Sequence, residues 1–213
     1  MKIALFDLDK TLLSIDCEKY LFIYLQKKNI VSKKILNDNE KFYKDYENGV
    51  LNIELYTEFF VKNIVYNINK KILLKFVNSI RKMYITEMMN ILKLHKKKKH
   101  KCIITTSSYK KISNPICKKI FKIKDILSND FIRKDDVIKP KIKGTPNIGY
   151  GKVKNFKKWK KKNGIKKCKT FFYSDSINDL PLLNYSNYPY AVNPDKKLLD
   201  ELKKNKKIKL LIF

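Results

Sequence analysis

Residues 1–13 read MKIALFDLDKTLL, and they decide how the rest of the chain is read. A short apolar run, residues 3–6, stops abruptly at two aspartates one residue apart, followed by a threonine. An apolar run of this length bounded by polar residues is the pattern of a strand buried on both faces. Side chains alternate along a strand, so Asp7 and Asp9 point the same way if the extended backbone continues past Phe6. Two carboxylates at one strand end repel each other and lose hydration unless a cation or a proton relieves them. Asp-x-Asp is by itself a common pattern, and the bland reading is a polar strand end before a turn.

A second acidic cluster lies far along the chain. Residues 169–183, KTFFYSDSINDLPLL, again run from apolar residues into carboxylates, Asp175 and Asp179. Open parallel sheets place their ligand crevice at the carboxyl ends of their strands. A third apolar run, 102–105, ends in the hydroxyls Thr106, Ser107 and Ser108. Lys152 opens an amphipathic stretch within TPNIGYGKVKNFKKWKKKNG. Acid pair, hydroxyl, lysine and acid pair, each at the end of an element, make a far rarer combination than any one of them.

In these four elements the chain resembles the haloacid dehalogenase-like phosphatases. Their motifs are matched in order by DLDKT (Asp7, Asp9, Thr11), IITTSS (Thr106), GK (Lys152) and SDSINDLP (Asp175, Asp179). The resemblance is closest to the branch containing phosphoserine phosphatase, where stretches like residues 172–183, 144–152 and 191–195 recur. It implies that Asp7 attacks phosphorus and that Asp9 protonates the leaving group. It further implies that Mg²⁺ is held by Asp7, the Asp9 carbonyl and Asp175, with Asp179 orienting bound water or Lys152. Thr106, Ser107 and Lys152 would hold the substrate phosphoryl group. Thr105 is the other candidate for the motif II hydroxyl; counting back from Pro115 favours Thr106. The elementary chemistry agrees with these roles. A phosphate monoester repels nucleophiles, and carboxylates approach it only with a hard cation such as Mg²⁺ between them.

Charge points elsewhere at first sight. Lys+Arg number 49 against 20 Asp+Glu, a formal net charge of +29, which ordinarily suggests nucleic acid or an anionic membrane. Yet all but two of the basic residues, Arg81 and Arg133, are lysine. They are spread along the whole chain, and Asn and Ile are abundant too. These three residues share AT-rich codons, so compositional drift accounts for the charge. Arginine is the residue suited to bidentate phosphate and base-edge contacts, and its scarcity argues against specific nucleic-acid recognition. The four cysteines, Cys17, Cys102, Cys117 and Cys168, show no C-x-x-C spacing; reduced core thiols and a cytoplasmic protein are expected. His95 and His100 lack acidic or Cys neighbours at metal-site spacing, and the lysines between them read as a solvated helix end. No apolar run is long enough to span a membrane.

The pattern along the chain predicts an α/β fold, a three-layer Rossmann-like core with a mostly parallel sheet and an inserted all-α helical cap. The core is expected over 1–13 and 90–213, and the cap over 14–89. Helices are expected at 16–29, 32–47, 52–67 and 69–94, broken at Asn/Asp/Gly such as Asn48-Gly49. Phe42, Tyr43, Tyr46, Tyr56, Phe59 and Phe60 are expected to fill a bundle core. Later strands are expected at 102–105, 125–128, 170–173 and 188–192, with helices at 113–121 and 153–163.

The expected substrate is a small phosphorylated metabolite. Asp16 lies nine residues after Asp7, where phosphoserine phosphatases carry an acid facing the substrate amine; it is equally a helix N-cap. No arginine falls in the first 80 residues to clamp a carboxylate, and Ser107-Ser108 replaces the glycine pair usual in phosphoserine phosphatases. The missing arginine tilts the expectation toward histidinol phosphate or a similar amine, and the Ser107-Ser108 departure argues against strict phosphoserine specificity. A phosphatase of lipid or nucleic-acid ends and a decayed, non-catalytic binding module are the alternatives.

Overall fold

The computed structural model of the chain describes residues 1–213. In order, its elements are β1 (Lys2–Phe6), α1 (Cys17–Lys27), α2 (Lys33–Asn48), α3 (Ile53–Phe60), α4 (Lys70–Ser79), α5 (Thr86–Lys97), β2 (Lys101–Tyr109), α6 (Lys110–Lys119) and β3 (Ile126–Asn129). There follow β4 (Phe131–Lys134), β5 (Val137–Ile142), α7 (Tyr150–Lys162), β6 (Lys169–Ser174), α8 (Leu180–Tyr185), β7 (Tyr188–Val192), α9 (Lys196–Lys204) and β8 (Lys209–Leu211). Two compact units result. The core comprises Met1–Ile15, Met83–Asn129 and Thr145–Phe213; the insert comprises Asp16–Lys82 and Asp130–Gly144.

In the core, six parallel strands lie in the order β3-β2-β1-β6-β7-β8. Alternation sends Ile3 and Leu5 to one face, where they join Ile103, Phe172 and Ala191 under Val153 and Phe156 of α7, Leu182 and Leu183 of α8 and Leu198 of α9. On the other face Phe6 stacks on Tyr173 at 4.9 Å, and His95 of α5 meets the edges of Phe6 and Phe171. Helices therefore cover both sides of the sheet, as the apolar, two-sided strands require. The chain leaves β1 toward β2 and β3, then returns to β6 on the opposite side. The order reverses between β1 and β6, the place where open α/β sheets leave a crevice at their carboxyl ends.

In the insert, each helix opens on a side-chain cap. Asp16 accepts from Lys19 N, Ser32 from Ile35 N, Asn52 from Glu54 and Leu55 N, and Asn69 from Ile72 N. Gly49, at φ 78°, closes α2 where the Asn48-Gly49 break was expected. The aromatics form the insert's core: Phe22 stacks on Phe59 at 5.8 Å, Phe42 meets Tyr56 and Phe59, and Phe60 meets Phe131.

Three elements differ from expectation. The helix expected at 69–94 is two, because the chain pairs with the start of the core between them. Ser14 N donates to Met83 O and Ile85 N to Leu12 O, and backbone pairing overrides helical periodicity there. The expected all-α cap is joined by the antiparallel hairpin β4–β5, which contacts α3; Tyr66 Oη donates to Ile138 O at 2.7 Å. α6 begins at Lys110 and holds Pro115 in its interior, although a proline there has no amide hydrogen for the preceding turn.

Candidate active site

Three neighbouring strands bring the acidic and hydroxyl residues to one end of the sheet. β1 occupies the middle, and its pairing with β6 continues one step beyond the strand, Asp7 N donating to Tyr173 O at 2.9 Å. Asp7 is thereby fixed at the carboxyl end of β1, buried, next to Asp175, which follows β6. Thr11 ties the two segments: its hydroxyl donates to Asp175 Oδ1 at 2.8 Å and accepts from Asp175 N at 3.0 Å. Asp195, beyond β7, anchors the same loop through bonds from Ile177 N and Leu198 N, while its own N–H donates to Asp175 O.

Lys152 enters from the first turn of α7. Its Nζ lies 2.7 Å from Asp7 Oδ1 and 2.7 Å from Asp179 Oδ2, with all three side chains at most 10 % exposed. Ser174 Oγ also donates to Asp179 Oδ2, at 2.7 Å. The glycine before the lysine is required by packing. A Cβ on Gly151 would lie 1.9 Å from Pro146 O, so only glycine lets the preceding loop close on the helix start.

From β2, Thr106 Oγ1 donates to Asp9 Oδ2 at 3.2 Å and accepts from Ser108 N at 3.0 Å. Ser108 Oγ donates to the same Asp9 oxygen at 2.8 Å. Thr105 is turned away and accepts from Asn147 Nδ2. Alternation along β2 thus gives Asp9 two hydroxyls, Thr106 and Ser108. Ser107 lies between them, half-buried, with its carbonyl accepting from Asn129 Nδ2 at 2.6 Å, and it makes no bond to Asp9. The structure therefore gathers Asp7, Asp9, Thr106, Lys152, Asp175 and Asp179, with Ser107 beside Thr106, and adds Ser108, which was not among the expected residues, as a second hydroxyl on Asp9. Strand alternation counted from Thr106 would have found Ser108; no sequence signal marks Ser174 as a partner of Asp179.

Four carboxyls share this end of the sheet with one buried ammonium. Burial pushes the Asp7 carboxyl well above its ordinary range; Lys152 pulls it down, and Asp179, Asp175 and Asp9 add to the rise. Burial likewise pushes Asp175 up to about 7, against the Thr11 hydroxyl that favours its anion. This excess of buried negative charge over positive is what a bound cation relieves. The donors are all oxygen, which suits a hard ion. No three His, Cys, Asp or Glu side chains gather into a protein-only metal cage. That is compatible with Mg²⁺, which takes one or two carboxylates and fills its octahedron with water and phosphate oxygens.

Asp16 belongs to the insert. It caps α1, and its Oδ1 also accepts from Tyr43 Oη at 2.5 Å. Tyr56 Oη donates to Glu18 at 3.3 Å, two residues on. No helix is long and apolar enough to cross a membrane. None of the four cysteines forms a disulfide.

Comparison with known proteins agrees with this arrangement. A family model described as haloacid dehalogenase-like hydrolase matches residues 4–184. A histidinol-phosphatase of Neisseria meningitidis serogroup C (strain 8013) is 32 % identical over 211 residues, covering 94 % of each chain. Among solved structures, a protein of unknown function from Bordetella pertussis Tohama I superposes with a TM-score of 0.86 at 24 % identity, over 99 % of this chain and 97 % of that one. A phosphoserine phosphohydrolase-like protein from Francisella tularensis subsp. tularensis SCHU S4 gives 0.70 at 16 % identity, over 99 % and 95 %. The motif order, the parallel sheet and a family match running from β1 into α8 lead to one assignment: the chain belongs to the haloacid dehalogenase-like hydrolases, and it is a phosphatase.

Proposed function

We propose that this phosphatase is a Mg²⁺-dependent, cytoplasmic hydrolase of a small phosphorylated amine, histidinol phosphate or phosphoserine, working through an aspartyl-phosphate. The observation that carries the reading is the Asp7–Lys152–Asp179 triad beside Asp175 and the Asp9 carboxylate. Asp7 has to be anionic to attack, and Lys152 at 2.7 Å opposes the burial that would protonate it. An Asp7 oxygen forms a bond to phosphorus as the ester P–O bond breaks. Asp9, held by two hydroxyls, gives its proton to the departing alkoxide. It then takes a proton from the water that opens the acyl phosphate, releasing inorganic phosphate. Thr106 and Lys152 cradle the phosphoryl oxygens, a neutral donor and a compact charge. Asp179 keeps Lys152 in place, itself held by Ser174. Mg²⁺, held by Asp7, Asp175 and the Asp9 carbonyl, would supply charge neutralisation at the phosphoryl group.

The amine preference is supported by the histidinol-phosphatase relative and by Asp16. The Asp16 carboxylate lies nine residues after Asp7 and is an acceptor whose charge complements an ammonium. Neither nucleic acid nor a membrane is part of the proposal: the lysines are scattered, and every acid of the motifs is present. The experiment is a panel of phosphorylated metabolites assayed with Mg²⁺ at several salt concentrations. Preference for histidinol phosphate or phosphoserine over amine-free esters is expected. Preference for nucleic-acid or lipid phosphate ends, with affinity collapsing as salt rises, would replace this reading.

A further inference from the structure

Asn147 lies five residues before Lys152, in the loop GTPNIGYGK, and nothing in its sequence setting marks it for function. In the structure it is fully buried, and its side chain meets the far side of the segment that carries Thr106. Its Nδ2 lies 2.9 Å from Thr106 O, 3.1 Å from Thr105 Oγ1 and 3.0 Å from Leu127 O. An amide carries two hydrogens, so three acceptors converge on two donors. Its Oδ1 accepts from Asn155 Nδ2 of α7 at 3.0 Å. Its backbone N–H donates to Asn129 Oδ1 at 2.6 Å, and Asn129 Nδ2 in turn holds Ser107 O. The loop leading to Lys152 is therefore bonded, through one side chain, to the Thr106 carbonyl and to the hydroxyl of the preceding Thr105.

From this we infer that Asn147 is a positioning residue for phosphoryl transfer, setting the direction of the Thr106 hydroxyl from behind. The inference rests on the phosphatase roles proposed above for Thr106 and Asp9. β2 needs such a brace, because its register against β3 slips between Thr105 and Tyr109, so the ladder does not fix Thr106 there. With Thr105 Oγ1 and Thr106 O held by one amide, Thr106 Oγ1 is left facing Asp9. Small displacements of such a group are costly in rate: a shift of about 1 Å can cost roughly 100-fold.

The test is a double-mutant cycle on p-nitrophenyl phosphate hydrolysis with Mg²⁺, using Asn147→Ala, Thr106→Ala and the double variant. Inorganic phosphate serves as a competitive probe of the phosphoryl cradle. Asn147→Ala is expected to lower kcat/KM roughly tenfold or more and to raise the inhibition constant of phosphate. In the Thr106→Ala background the same change is expected to cost less than about threefold, because the hydroxyl it positions is gone. The Mg²⁺ concentration for half-maximal activity stays unchanged. The loss of melting temperature is the same in both backgrounds, since the packing defect does not depend on the hydroxyl. Should Asn147→Ala not fold, the isosteric Asn147→Asp, which turns an oxygen toward the three acceptors, carries the same cycle. Equal losses of activity in both backgrounds would overturn the inference and leave the phosphatase roles standing. A wild-type protein that does not turn over any phosphomonoester would overturn both.

Discussion

Replacing Lys152 by methionine removes the only ammonium between two buried carboxylates while keeping most of the aliphatic stem. In the folded protein Lys152 Nζ is 2.7 Å from both Asp7 and Asp179, and the three side chains are 4 %, 10 % and 2 % exposed. Breaking a buried pair by removing one partner costs about 3–5 kcal/mol. The cost has a ceiling, because a stranded carboxyl can take up a proton. From the ordinary Asp value of 3.8, protonation at pH 7 costs about 4.4 kcal/mol, and at pH 5 about 1.6 kcal/mol. The variant is therefore expected to be less stable than wild type by roughly 3–4 kcal/mol at pH 7, with that deficit shrinking by about 2–3 kcal/mol at pH 5. Urea unfolding of both proteins at the two pH values, in metal-free buffer, measures it. A deficit of the same size at both pH values, or none at pH 7, would refute the view that Lys152 is the counter-charge of this site.

Other expectations follow from the same geometry. Because Asp175 is held up near 7 by burial, the Mg²⁺ needed for half-maximal activity should rise up to about tenfold per pH unit below 7, and Asp175→Ala should raise it strongly at every pH; a pH-independent requirement would contradict this. Asp16→Ala should reduce kcat/KM for an amine substrate by roughly tenfold or more, about 1.5–3 kcal/mol for a charge-assisted contact, with little change for p-nitrophenyl phosphate. Equal losses on both substrates, with a lowered melting temperature, would leave Asp16 as a cap and a partner of Tyr43 only. His95, bonded to His100 at 2.8 Å and to Tyr173 at 2.9 Å, is lowered by burial to about 4 from 6.5. The folded chain thus binds fewer protons than the unfolded one between these values, so the stabilisation is complete above 6.5 and lost as pH falls toward 4. The ceiling is about 3.4 kcal/mol, cut to roughly 2 by the solvent-screened His100 side. The loss of stability from pH 7 to 5 should be smaller in His95→Phe, and an identical loss would disprove it.

Much of the core was legible because its signals are local. Residues 3–6, 102–105 and 170–173 are apolar runs ended by polar residues, and each is a buried parallel strand delivering Asp7, Thr106 or Asp175. Asn48-Gly49 marked a helix end because glycine takes the left-handed conformation found there. What was not legible depends on partners distant in sequence. Residues 69–94 are periodic enough for one helix, and only pairing of Leu12 and Ser14 with Met83 and Ile85 divides it. The hairpin at 130–144 leaves the core because its contacts are with α3, about 80 residues earlier. Asn147 and the His95–His100 pair carry no local pattern; their meaning lies in which buried atoms surround them.

The central claim is that Asp7 carries the phosphoryl group. The most direct measurement is mass spectrometry of acid-quenched protein after brief exposure to substrate and Mg²⁺, with hydroxylamine treatment in parallel. The account predicts a phosphoryl adduct on the peptide containing Asp7, sensitive to hydroxylamine and absent from Asp7→Asn, a variant that folds like wild type but does not turn over. An adduct on Asp9, or turnover retained in Asp7→Asn, would contradict it.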